Sequence, residues 1–361
     1  MKVGILTYHF SNNYGAVLQA YALMEQLRLM GHEPMIVDRT PIKTDFLHRL
    51  YQIFNSNSSL YWTKFRQFQR DRLKPKTQPF YTDNEVADAI GSYNFDALIV
   101  GSDQIWRNTM CGHSYFLNFL PEDANIRRIS YAASFGTSEW DTNRQDTRHI
   151  RDLLHRFNDI SVREFSGQKI CNDVFGVESR LVLDPTMLHD AGFYENSLLD
   201  GNPNKSSGRL VSYILGKAAL PMVKSANMLA AKYGLGHHEL YWLGKDLKAL
   251  RLTNSVTQRH HITVDEWLRE IRDAEYVVTN SFHCAVFSIL FKKRFVVIEY
   301  ESGGNDRLKT LTKQLGIEDK FVAVDHIEKG LMAEVDYDQV MSKLQSLKED
   351  SVNYLSKALS I

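Results

Sequence analysis

The chain opens with Lys2-Val3-Gly4-Ile5-Leu6-Thr7, passes through His9-Phe10-Ser11-Asn12-Asn13-Tyr14-Gly15, runs helix-like from Ala16 to Met30, stops at Gly31 and resumes with Pro34 to Val37. A run of β-formers, a polar turn, an amphipathic stretch, a glycine and a second β-run make the strand-helix-strand pattern of a parallel sheet. The pattern continues outward. Further strands are expected at Ala97–Val100, Ile129–Ala132, Asp159–Val162 and Leu181–Leu183, with helical stretches between most of them. Asn, Ser, Gly, Pro and Lys cluster over Asn196–Gly208, the best linker candidate. A new series then begins: strand Leu210–Leu215, helix Pro221–Tyr233, strand Glu239–Leu243, helix Val264–Ala274, strand Tyr276–Thr279 and strand Phe295–Ile298, before a last helical run from Asp336 to Leu359. The fold class is therefore α/β in two halves. Domains are expected at 1–200 and 208–335, with a cleft between them, and the helix in 336–361 packing back on either.

Length and charge agree. A chain of 361 residues exceeds what one hydrophobic core normally serves. The 43 basic and 43 acidic residues cancel, so no global field invites nucleic acid. Cys111, Cys171 and Cys284 are odd in number, widely spaced and outside any metal-ligand pattern, which predicts reduced thiols in a cytoplasmic protein. The N-terminal run lacks the apolar core of a signal peptide, and no stretch approaches a membrane span. His237-His238 and His260-His261 are sequence neighbours that diverge in regular structure, so no metal site is expected. One segment breaks the alternation: 43–76 interleaves basic residues with Phe46, Tyr51, Phe54, Tyr61, Trp62, Phe65 and Phe68. It reads as a helical insertion, either covering a sheet edge or presenting a basic and aromatic surface to the inner face of a membrane.

Chemistry is expected where strands hand over to helices. Tyr276–Thr279 followed by the apolar run from Ala285 leaves Asn280, Ser281 and His283 at a chain reversal, and a histidine there can give or take a proton. Asn12, Asn13 and Gly15 precede the first helix, whose free N–H groups and dipole would bind an anion; they could also be plain cap and turn residues. The turn lacks both the dinucleotide and the P-loop glycine patterns. In Gly101-Ser102-Asp103-Gln104-Ile105-Trp106, Gly101 permits a tight exit, Ser102 can cap, and Asp103 is either a cap or a general base for a sugar hydroxyl. Arg163 follows the strand Asp159–Val162 and suits a carboxylate or phosphate; the alternative is a surface pair with Glu164, a poor geometry because strand neighbours point to opposite faces. Asp184-Pro185-Thr186 reads as the structural end of the first domain, and Arg307, after Gly303-Gly304, as a phosphate contact or a surface arginine.

Five runs in order resemble the polysaccharide pyruvyl transferase family: Asn13-Tyr14-Gly15-Ala16 with Gln19-Ala20-Tyr21, Gly101–Trp106, Ser161–Glu164, Asp184–Thr186, and Ser281-Phe282-His283 with Phe287-Ser288. The resemblance implies two Rossmann-like domains facing across a cleft, a glycosyltransferase-B-like arrangement. It implies transfer of the enolpyruvyl unit of phosphoenolpyruvate to two hydroxyls of a sugar in a lipid-linked precursor of a capsule or exopolysaccharide, without a cofactor. His283 would protonate the methylene carbon or assist loss of phosphate, Arg163 would hold the donor's carboxylate or phosphate, and the Asn12–Gly15 turn and Arg307 would add anion contacts. Where the family pattern is Arg-x-His, this chain has Ser281, so Arg307 or another basic residue would supply that charge, or the donor differs. A nucleotide-sugar glycosyltransferase and a non-catalytic glycan-binding relative are the alternatives.

Overall fold

The computed structural model describes residues 1–40, 56–107, 112–140, 144–199, 208–216, 219–240, 256–259, 262–299 and 304–360. Two compact units emerge. Met1–Asn12, Ala16–Leu188 and Gln345–Ile361 form the first, and Asn13–Gly15 with His189–Leu344 the second.

In the first unit, β1 (Lys2–Leu6), β2 (Glu33–Ile36), β3 (Ala97–Val100) and β4 (Arg127–Ser130) lie parallel in the order β2-β1-β3-β4. The short pair β5 (Ser161–Val162) and β6 (Arg180–Leu181) continues the sheet through single bridges Ile129↔Asp159 and Ala133↔Val162. The order reverses between β1 and β3, so the ligand-accepting edge of such a sheet is where β1 and β3 end. All four residues of β3 are buried, because helices cover both faces; that is why its sequence is uninterrupted Ala-Leu-Ile-Val rather than alternating. Trp106, fully buried, stacks on Phe116 at 5.7 Å and donates its indole N–H to Tyr115.

The described part of the 43–76 insertion is a helix, Ser56–Arg72. Its Phe65 is buried and Phe68 meets Tyr21 of the first helix edge-on at 5.9 Å, while Arg66, Arg70 and Arg72 are exposed. Phe65 and Phe68 thus pack against the chain itself, Phe68 on the first helix. Residues 41–55 lie outside the described residues. Among the described residues no helix is long and apolar enough to cross a membrane.

In the second unit, β7 (Arg209–Tyr213), β8 (Gly236–Leu240), β9 (Val256–Arg259), β10 (Tyr276–Thr279), β11 (Arg294–Ile298) and β12 (Phe321–Val322) form one parallel sheet in the order β12-β11-β10-β7-β8-β9. Counted within the unit this is the Rossmann order, with its switch point between β7 and β10. Leu210, Val223, Ala226, Val278, Val296 and Ile298 build its core.

Several expectations shift. The units part at Leu188/His189 rather than within 196–208, because Asp190 caps a helix over Ala191–Leu198 whose Tyr194 packs on Phe287 of the second unit at 4.9 Å. The final helix, Tyr337–Ala358, is not a separate domain: it belongs to the second unit through Leu344 and to the first from Gln345. β9 and β12 were not anticipated; Val-Thr-Gln-Arg and Phe-Val are too short or too polar to register as strands alone.

Candidate active site

β10 ends at Thr279, whose hydroxyl donates to Tyr213 O at 2.6 Å and accepts the Ser281 N–H at 2.9 Å. Asn280 is spent on structure. Its carbonyl oxygen accepts the Leu215 N–H at 2.7 Å and its amide donates to Leu215 O at 3.0 Å, which ties the ends of β7 and β10 together at the switch point. Ser281 is the N-cap of a helix over Phe282–Leu290 and accepts the Cys284 N–H. The helix starts three residues before the expected Ala285, because the cap overrides the polar look of the turn. His283 therefore sits in the first helical turn, not in the loop, and is buried at 6 % exposure.

Gly15 explains how a ring fits there. A Cβ built on Gly15 would stand 1.9 Å from His283 Nδ1 and 2.3 Å from its Cγ, so the imidazole lies directly on the bare glycine backbone. The helix carrying Gly15, Tyr14–Leu29, begins two residues earlier than expected. Tyr14 stacks on Trp267 at 5.1 Å and donates its hydroxyl to Ile262 O. The turn is less of an open anion cradle than its sequence suggests: Asn13 Oδ1 accepts the Gly15 N–H at 2.9 Å. Arg307 lies half-buried in the first turn of the helix Asp306–Leu315.

In the first unit the ends of β3, β5 and β6 converge. Gly101 permits this, since a Cβ there would meet Thr7 at 3.0 Å. Asp103 adopts φ +81°, a conformation rare for a residue with a Cβ, and its side chain is 14 % exposed. Its carboxylate accepts from Gln104 N at 2.9 Å and from Arg163 at 3.2 Å. Arg163, 1 % exposed at the side chain, also donates to Asp184 at 2.7 Å and to Ser102 at 3.2 Å, with Glu164 3.9 Å away. Burial alone would lower its pKa, but Asp184, Asp103 and Glu164 together raise it. This corrects the expectation for Arg163, which does not face an outside anion but is enclosed, together with Ser102, by carboxylates of the chain itself. Asp184 marks more than a boundary, because it accepts from Ser102, Arg163 and both the N–H and hydroxyl of Thr186. Proximity of Arg163 and Asp184 had no sequence signal, since 21 residues and a crossover separate them.

Sequence reading also missed His9 and Asp38. His9, 1 % exposed, stands just beyond β1, with Nδ1 3.0 Å from Thr7 O and Nε2 2.7 Å from Asp38 Oδ1, just beyond β2. Their positions past strand ends were the available signal. Asn12, Ser102, Asp103 and Arg163 thus belong to the first unit, and Asn13, Gly15, Asn280, Ser281, His283 and Arg307 to the second.

The fold is that of the glycosyltransferase-B class. Similar solved structures include Staphylococcus aureus MnaA with UDP (TM-score 0.59, 12% identity, covering 98% of this chain and 96% of that one). Arabidopsis thaliana UGT89C1 with UDP matches at TM-score 0.54 and 9% identity over 99% and 100%, and the UDP-N-acetylglucosamine 2-epimerase of Rickettsia bellii at 0.53 and 11% over 99% and 99%. No protein of curated function matches the chain in sequence. Within that fold class the sequence is more specific: residues 13–302 match the profile of the polysaccharide pyruvyl transferase family, and the chain belongs to it.

Proposed function

We propose that this chain transfers the enolpyruvyl group of phosphoenolpyruvate to two hydroxyls of a sugar in a lipid-linked surface-polysaccharide precursor, at the cytoplasmic face of the membrane. Family membership over residues 13–302 supports a pyruvyl transferase acting on a glycan. The observation that carries the assignment of roles is the imidazole of His283, held at a helix start against Gly15. In the reaction His283 delivers a proton to the methylene carbon, and the first sugar oxygen bonds to the central carbon. Phosphate departs with the donor's bridging oxygen, and the second sugar oxygen closes the ketal. Of the two hydroxyl protons, one replaces that given by His283 and the other leaves with phosphate. Asp103, the partly exposed end of its buried network, takes a hydroxyl proton. Arg163 is a positioning residue that fixes Asp103, while the Asn12–Gly15 turn, Ser281 and Arg307 bind the donor anion.

The test is phosphoenolpyruvate-dependent release of inorganic phosphate with mass-tagged pyruvate appearing on the glycan. His283→Ala should abolish it without unfolding the protein; full turnover in that variant would remove His283 from the mechanism. The rival reading, a nucleotide-sugar glycosyltransferase, draws on fold neighbours that hold UDP, and release of nucleoside diphosphate instead of phosphate would establish it.

A further inference from the structure

His9 and Asp38 have no part in the chemistry above, yet they stand at the carboxyl ends of β1 and β2, beside the switch point where parallel sheets take ligands. Both ring nitrogens of His9 meet oxygens, Thr7 O at 3.0 Å and Asp38 Oδ1 at 2.7 Å, so the ring keeps no nitrogen for a substrate. Phe10 packs edge-on against it at 5.6 Å and the ring is 1 % exposed. Asp38 differs. Its side chain is 23 % exposed, its own N–H is held by Thr77 Oγ1 at 2.9 Å, and Oδ1 is fixed by His9. Burial works against its charge, but the His9 hydrogen bond and charge and that of Lys76 prevail and lower its pKa. An ionised carboxylate braced in this way is a poor base and a constant acceptor of hydrogen bonds. In Rossmann-type sheets an acidic residue near the end of the second strand takes the hydroxyls of a ribose, and a carboxylate accepts from two neighbouring O–H groups as readily on a pyranose.

We propose that Asp38, braced by His9, is a diol-recognising carboxylate of the first unit that accepts hydrogen bonds from two neighbouring hydroxyls of the acceptor sugar. The sugar assignment rests on the reading under Proposed function; diol recognition itself rests on the first unit's geometry alone. The brace sets its direction: without the His9 N–H, Oδ1 is released and the carboxylate turns.

Saturation-transfer NMR on the full chain tests this with two probes, methyl β-D-galactopyranoside and uridine. The wild type is expected to bind the galactoside, and Asp38→Asn to weaken that binding by about tenfold or more while the protein stays folded and its phosphoenolpyruvate binding is unchanged. His9→Gln, which keeps a donor at the Nε2 position, should retain more galactoside binding than His9→Ala. Loss of uridine rather than galactoside binding in Asp38→Asn would keep the diol site but overturn the sugar as its ligand. Absence of binding by either probe to the wild type, or equal binding by Asp38→Asn, would overturn the proposal outright. Galactoside binding that depends on Asp38 in a protein that releases no phosphate from phosphoenolpyruvate would sink the transferase reading and leave the diol site standing.

Discussion

Gly15→Ala is the sharpest perturbation the structure offers. The added methyl would stand 1.9 Å from His283 Nδ1, 2.3 Å from Cγ and 2.6 Å from Cε1, so the ring must retreat by about 1.5 Å to recover ordinary van der Waals contact. It has little room, being 6 % exposed, with Phe282 edge-on at 5.2 Å. Overpacking of this kind costs about 1–3 kcal/mol, and replacing a helical glycine by alanine returns up to about 1 kcal/mol, leaving a net loss of about 0–3 kcal/mol. The effect on catalysis should be larger. A reacting group displaced by about 1 Å loses on the order of a hundredfold in rate, so kcat should fall by about that factor with the phosphoenolpyruvate KM nearly unchanged. Denaturant titration and phosphate-release kinetics on Gly15→Ala, His283→Ala and the double variant form a cycle. With the ring removed the methyl has space, so the double variant should be as active as His283→Ala and more stable than the two single losses predict. Additive losses in both readouts, or wild-type turnover by Gly15→Ala, would refute the idea that this glycine exists to seat the histidine.

Other outcomes follow from the same geometry. Asp184→Asn places an amide against Arg163 in a site closed to water and should cost about 3–5 kcal/mol, whereas Asp103→Asn, at the exposed end of the network, should lose turnover with little loss of melting temperature. Asn280→Ala leaves both polar groups of the Leu215 backbone unmet and should cost about 1–3 kcal/mol in denaturant titration. Lys320 donates to Gly330 O, Leu331 O and Ala333 O; burial, then Arg294, bring its pKa down to about 8, against 10.5 ordinarily. Between these values the unfolded chain holds more protons than the folded one, so stability should rise with pH across that window and flatten in Lys320→Met. Burial pushes the Cys171 and Cys284 thiols up to about 12, so neither should react with a thiol reagent near pH 8 until denaturant is added.

Sequence by itself determined the alternation of strands and helices. Strands buried on both faces are written as unbroken apolar runs such as Tyr276–Thr279 and Ala97–Val100, and these were legible to the residue. It also determined the family and the one histidine in its matching motif, because those are local patterns. Helix starts were less legible: Asn13 and Ser281 accept N–H groups of the turns that follow, and a cap looks like a loop until its acceptor is seen. Only the tertiary structure decided what the charged residues face. Arg163 reads as an anion clamp until three strand ends bring Asp103, Asp184 and Ser102 around it, Gly15 as a turn residue until a ring from 268 positions away lies on it, and His9 as one loop residue among several until Asp38 meets it. The reason is physical: periodicity records burial of apolar surface, which repeats along the chain, while a buried charge is settled by whichever partner the crossover connections bring within about 3 Å.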